Sequence, residues 1–353
     1  MDSFDFKTFG QVFLRGVAQI MLQENAITGA LFVLGVYYSS WQMGVGLTVG
    51  TLVGTIIGYT FKSFRKEWEM GLYGFNGALV GTAVVLGYGF GFTAFLIIIA
   101  ASALSTYFMH FAITKGWRVF TFPFIVASWI FVTAIGSYLI EAATTIGIVE
   151  PEKAMTTLSQ KSPSLSTIQN EEVHSQDDDQ DDDQDDEDDE VEQESSYEVY
   201  IDQWDDRLDD IDDLGDDEFL NSLQSYGQII FQGSVLTGFL FLLGVYINDP
   251  LVGVYGVVGS IIAILVAHIL KLDNFSIFQG LLGFNAILCA IVFSGSKRRD
   301  GLAVALSCSL SVLIYIAMLD LGIPPYTFPF VLATWIVLLV QKVPIKINSS
   351  TKS

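Results

Sequence analysis

Apolar positions in this chain run in long blocks rather than alternating. Val45–Phe61, Leu79–Ile113, Phe120–Ile140, Leu251–Leu270, Leu281–Phe293 and Leu302–Leu319 carry almost no charge. Alone or with their flanks, most match a helix that spans about 30 Å of hydrocarbon. Glycines recur within one block at Gly44, Gly46, Gly50, Gly54 and Gly58, a spacing that lets helices approach closely in lipid. A soluble bundle of buried helices would need polar faces that these blocks lack. The pattern predicts an all-α membrane protein that crosses the bilayer many times.

The blocks fall into two related sets. Gln19–Leu79 aligns onto Gln228–Leu288 without a gap, at an offset of 209 residues, with 22 identities in 61 positions. Gly71-Leu-Tyr-Gly-Phe-Asn76 pairs with Gly280-Leu-Leu-Gly-Phe-Asn285, and after a three-residue slip Thr121-Phe-Pro-Phe124 pairs with Thr327-Phe-Pro-Phe330. Duplicated units with matched polar residues are a common basis for transport pathways, the route lying between the copies. The first copy divides into Gly10–Leu22, Ala26–Tyr38, Trp41–Phe61, Met70–Tyr88, Phe92–Ile113 and Val119–Ile140. The first of these is short for a crossing and reads as a re-entrant half-helix. Five remaining crossings are an odd number, so the second copy is expected to enter the membrane inverted. Positive charge agrees: it lies at Lys62-Ser-Phe-Arg65-Lys66 and Lys115–Arg118 in the first copy, but moves to Lys297-Arg-Arg299 and the C-terminal tail in the second. The positive-inside rule then places both termini in the cytoplasm of a plasma or bacterial inner membrane.

Composition adds one separate feature. The net charge of −22 is local, because residues 171–218 hold 27 of the 39 acids. Gln176–Glu194 is nearly all Asp, Glu and Gln and cannot bury enough apolar surface to fold alone. The expected organisation is a first transmembrane repeat at 1–148, an acidic and largely disordered extracytoplasmic linker at 149–220, a second repeat at 221–342 and a cytoplasmic tail at 343–353. Spaced apolar residues in Tyr197–Leu223 permit a short surface helix. An EF-hand is excluded there, since aligning Gly215 with the loop glycine puts Leu214 at a ligand position. Cys289 and Cys308 read as small packing residues.

Catalytic chemistry is poorly represented. His110, His174 and His268 match no metal-ligand spacing, and no nucleophile elbow or phosphate loop occurs. The repeats lack paired intramembrane carboxylates, since Glu24 aligns with Gly233. Three matched elements remain. Gln19 and Gln228 offer an uncharged acceptor and donor, with Leu22 and Phe231 three residues on. Gly-Leu-x-Gly-Phe-Asn-x-x-Leu supplies Phe75, Asn76 and Leu79, then Phe284, Asn285 and Leu288, with Phe and Leu on one helix face. Thr-Phe-Pro-Phe puts Thr121 and Thr327 in cap positions before a first-turn proline. Each element has a structural reading too: an interhelical bond for Gln, core packing for Phe and Leu, and a simple cap for Thr. The two asparagines read as structural, bonding backbone at a break.

Together these residues resemble the urea transporter family. The resemblance covers roughly Gln11–Ile140 and Tyr226–Val340, and the interval from Gln to Phe is 56 residues in both copies. The family's Leu-Pro pair before the Thr stands as Ile323-Pro324 in the second copy and as Trp117-Arg118 in the first, and Leu22 stands opposite Phe231. What the resemblance implies is a homotrimer of channel-like protomers, each with ten transmembrane helices and two re-entrant half-helices. Each would pass urea through its own pore, with lipid outside and without cofactor, metal, enzymatic activity or nucleic acid. In that picture Phe75, Phe284, Phe231 and Leu22 form a slot for a flat solute, and Leu79 and Leu288 narrow it. Gln19, Gln228, Thr121, Thr327 and backbone carbonyls accept its N–H groups. Two other functions stay open at this level: an ion-coupled transporter of a related small amide that depends on Glu24, and a membrane-anchored scaffold that uses the acidic linker.

Overall fold

A computed structural model describes residues 5–135, 214–272 and 280–342, without the side chains of 214–219 and 342. The described residues are mostly helical and contain no strand. Nearly all of the expected linker, and the tail, lie outside them.

In the first repeat α1 (Phe6–Ala18) starts on Asp5, whose carboxylate accepts the amides of Lys7 and Thr8. The Thr8 hydroxyl first, then the Lys7 amide, hold that carboxyl below its usual range. The helix tightens to a 3-10 turn at Gln19–Met21 and stops at Leu22, which is left-handed at φ 59°. After this break α2 (Ala26–Ser39) leaves at 76° to α1. Then follow α3 (Trp41–Thr60), the short α4 (Arg65–Glu69), α5 (Phe75–Tyr88), α6 (Phe92–Thr114) and α7 (Phe122–Ser128). The last of these continues as a π-helical stretch over Trp129–Ala134.

The second repeat holds α8 (Leu214–Gln228), α9 (Val235–Asn248), α10 (Pro250–Ile269), α11 (Gly283–Phe293), α12 (Arg298–Asp320) and α13 (Phe328–Lys342). Part of the surface helix expected in Tyr197–Leu223 is therefore the start of α8, which runs on into the repeat. The break after α1 has its match here, with Phe231 left-handed at φ 59°.

Four described helices, α3, α6, α10 and α12, are long and apolar enough to cross a membrane, and the bent pair α1/α2 makes a fifth candidate. Their outer faces are apolar: Phe92, Leu96, Leu251 and Leu265 are all exposed. Such a surface is stable against lipid and would be a liability in water. The helix expected at Met70–Tyr88 is shorter, and the one expected at Val119–Ile140 starts later, its last five residues lying outside the described ones. Gly71, at φ +85°, turns the chain so that α5 begins only at Phe75. Phe120, left-handed at φ 49°, holds off α7 until Phe122, where Pro123 fits the first turn. At about 1.5 Å per residue the 14 residues of α5 reach roughly 21 Å, less than a full crossing.

Glycine brings α3 and α5 together. A Cβ on Gly50 would lie 1.9 Å from the Gly77 carbonyl oxygen, and one on Gly81 would lie 1.9 Å from that of Gly46. The second repeat uses the same crossing more loosely, with Ala286 and Ala290 facing Gly259. Cys308 confirms its packing role: its thiol meets the Ala286 carbonyl at 3.2 Å, as the matched Ser102 hydroxyl meets Gly77 at 3.5 Å.

The repeats meet through reciprocal contacts. Thr28 donates to the Gly244 carbonyl (2.7 Å), and its match Thr237 donates to the Gly35 carbonyl (3.1 Å). Trp129 Nε1 donates to Pro324 O, while Trp335 Nε1 donates to Arg118 O. Some residues touch their own match: the Phe32 and Phe241 rings lie 4.9 Å apart, and those of Phe122 and Phe328 lie 6.3 Å apart. At the break after α1, Asn248 Nδ2 donates to Gln23 Oε1 and Asn25 Nδ2 donates to Asn248 Oδ1, tying α9 to the α1/α2 corner.

Candidate functional site

Gln19 occupies the 3-10 turn that ends α1. Its Nε2 donates to the Met70 carbonyl at 2.9 Å. That bond orients the amide and leaves Oε1 as an acceptor without a partner among the described residues. One turn earlier Arg15 Nη1 donates to the adjacent carbonyl, Glu69 O, at 3.0 Å. Two side chains of α1 thus grip successive carbonyls at the end of α4. Gln228 closes α8 at the matched place and is half-buried.

Leu22 and Phe231 follow three residues on, and both sit on left-handed backbone. The conformation stops the helix and turns each side chain away from the helix face it would otherwise extend. Their surroundings differ. Leu22 is exposed, whereas Phe231 is half-buried and packs 6.2 Å from the Phe124 ring.

Phe75 and Phe284 open α5 and α11 and are buried. Phe284 meets Tyr315 edge-on at 6.1 Å. Leu79 and Leu288, one turn on, are wholly enclosed in the core. The asparagines between them bond backbone, as expected from the sequence. Asn76 Oδ1 accepts the Phe124 amide and Asn285 Oδ1 accepts the Phe330 amide, each at 3.1 Å. Each satisfies a first-turn donor of α7 or α13 that no carbonyl reaches. Asn285 also donates to Tyr326 O at 3.3 Å, whereas the Asn76 Nδ2 is buried without a partner. Asn285→Ala is therefore expected to destabilise the protein by about 1–3 kcal/mol, and Asn76→Ala by less, because removal of an orphan donor offsets part of its loss. Thermal unfolding in detergent gives the order, and an equal or larger loss for Asn76→Ala would contradict it.

The threonines do not cap their helices. Thr121 stands at the N-cap of α7, but its side chain makes no capping bond there. Instead Thr121 Oγ1 and Thr327 Oγ1 bond each other at 2.7 Å, both buried. The backbone amides at the start of α7 are engaged as well. In α7 the Phe122 amide is taken by Val119 O, Pro123 has none, and Asn76 holds that of Phe124. What the starts present is hydroxyl and carbonyl oxygen.

Several contributors had no clear signal in sequence. Tyr326 is left-handed at φ 43°, its ring packs 5.7 Å from Phe124, and its hydroxyl meets Thr133 at 3.2 Å in the π-helical stretch. Trp129 and Trp335 align in the repeat, which was their available signal. Arg15 aligns with Gln224, and only the fold shows what it grips. Among the described residues no group of His, Cys, Asp or Glu could hold a metal.

Long apolar helices with apolar outer faces, and paired polar side chains turned inward between two repeats, define an integral membrane protein of the transporter class. The urea transporter profile matches residues 11–170 and 192–342, interrupted only within the acidic run, and the chain belongs to that family. Urea transporter 1 of Capra hircus and that of Mus musculus are each 24% identical over 343 residues, covering 93% of this chain and 76% of theirs. Members of this family are transporters and not enzymes.

Proposed function

We propose that this protein conducts urea passively, through a pore between its two repeats in each protomer. The observation that carries the reading is the Thr121–Thr327 bond, which joins matched residues at the starts of two short helices. Two hydroxyls that share one bond still retain a donor and unfilled lone pairs for a third molecule. Urea is planar and neutral, and leaving water costs it hydrogen bonds unless replacements stand along the way. Gln19 Oε1, the corresponding Gln228 amide, the threonine hydroxyls and nearby carbonyls supply them. Phe75, Phe284, Phe231 and Leu22 would select for flatness, with Leu79 and Leu288 narrowing the slot. Several modest sites in series favour passage over retention.

The reciprocal contacts between repeats support a two-fold relation about an axis through the Thr pair. The shift of positive charge between the copies supports its inversion, with five crossings and a re-entrant half-helix per repeat. Repeats at 1–148 and 221–342, a 149–220 linker outside the cell, a 343–353 tail and cytoplasmic termini complete that arrangement. Homotrimeric assembly follows from the family resemblance. Glu24 is exposed in the break after α1, so nothing in its placement calls for ion coupling. Reconstituted in proteoliposomes, the full chain is expected to carry urea down its gradient with no proton or sodium gradient imposed. Flux that appears only with an ion gradient would overturn the passive mechanism.

A further inference from the structure

A slot that tests for flatness and N–H donors has one serious impostor. Guanidinium is as flat as urea, similar in size, richer in donors and positively charged. An apolar slot disfavours any cation through lost hydration, but a line of acceptor oxygens offsets part of that cost for guanidinium, so a repulsive element adds to its exclusion. Arg15 has the placement for one. It lies one helical turn before Gln19, and the two side chains hold successive carbonyls, Glu69 O and Met70 O. Its charge is not neutralised by an ion pair. The neighbouring Glu69 carboxylate is engaged by Arg65, at 3.1 Å, and that is the one salt bridge among the described residues. The Arg15 Nε is buried with no partner while its Nη1 bond to Glu69 O lies at the solvent-exposed edge, so among the described residues no carboxylate pairs with the guanidinium. The matched residue in the other repeat is neutral Gln224.

We propose that Arg15 is a specificity-determining residue, a fixed positive charge that keeps guanidinium-type cations from the Gln19 end of the pathway while neutral urea passes. The inference rests on the urea-conducting reading above. Because Gln224 replaces the charge at the opposite end, the barrier is one-sided. As a general scale, like unit charges on the order of 8 Å apart at an effective dielectric near 20 lower each other's local occupancy roughly 30-fold.

The test uses the full chain in proteoliposomes, with urea and guanidinium fluxes measured on the same vesicles. Arg15→Gln is expected to raise the guanidinium-to-urea permeability ratio by about tenfold or more, and Arg15→Lys, which keeps the charge, is expected to leave the ratio near wild type. An unchanged ratio in Arg15→Gln overturns the proposal, as does an equal rise in Arg15→Lys, which would assign selectivity to the bond geometry. A second measurement needs no substitution. In wild-type vesicles of defined orientation, guanidinium is expected to inhibit urea flux more potently from the Gln224 side than from the Arg15 side, by about tenfold. Equal inhibition from both sides overturns it. Absence of urea flux in the wild type is a different result and would count against the urea pore itself.

Discussion

Urea flux is expected to fall by about a hundredfold when Gln19→Leu and Gln228→Leu are combined. In the proposed pore each replacement would remove an uncharged acceptor from a point where urea sheds water, and a lost hydrogen bond there is worth on the order of 1–1.5 kcal/mol. Two such losses in one narrow path act on the same barrier, which gives two orders of magnitude. Leucine keeps the volume, so the slot should stay apolar and closed to ions. Gln19 has a second task, because its Nε2 holds the Met70 carbonyl, and some loss of stability accompanies Gln19→Leu. Flux is therefore compared at equal amounts of monodisperse protein, by light scattering on proteoliposomes. Wild-type flux from a well-folded double variant would remove both glutamines from the pathway.

The largest effect on folding is expected at Gly50. Its α-hydrogens face the Gly77 carbonyl, and a Cβ there would stand 1.9 Å from that oxygen. The obstacle is helix backbone, which cannot rotate aside as a side chain can. Gly77 repeats the constraint in reverse, with a Cβ 2.2 Å from Gly50 O. Gly50→Val would have to push α3 away from α5, and α5 carries Phe75 and Asn76. Lipid offers no hydrophobic gain to restore the contact, since helix association in bilayers depends on close packing. A loss of more than about 3 kcal/mol is expected, enough to abolish recovery of folded protein. Gly259→Val at the matched crossing should be milder: its new Cβ would meet that of Ala290 at 2.7 Å and the Ala286 carbonyl oxygen at 2.8 Å, against 1.9 Å to the carbonyl oxygen at Gly50. Solubilised yield and thermal stability measure the contrast. Equal tolerance at the two glycines would show that the α3/α5 contact is not the tight one.

Repetition made much of this legible in advance. The blocks reported membrane helices because charge is excluded from hydrocarbon, and that exclusion leaves a mark on composition. The matched Gln, Phe-Asn and Thr-x-Pro-Phe positions reported where to look, because a duplicated pathway keeps its polar groups in both copies. The asparagine role was readable for a related reason: a polar side chain beside a helix start has few partners except unpaired backbone. Helix limits were less readable. A continuous apolar run does not show where a left-handed Gly71 or Phe120 cuts it, so α5 begins at Phe75 rather than Met70 and α7 at Phe122 rather than Val119.

The sequence by itself determined the membrane class, the duplicated plan, the family and the residues that recur. Tertiary structure decided what those residues bond. Thr121 appeared to be a helix cap and is joined to Thr327, 206 residues away, because only the folded repeats bring the two helix starts together. Gln19 appeared to be an isolated acceptor and is oriented by Met70, with Arg15 beside it on Glu69. Periodicity and spacing record which faces are apolar and which positions are shared. They do not record the direction of a side-chain amide or the carbonyl that meets it, since those depend on contacts between segments far apart in the chain.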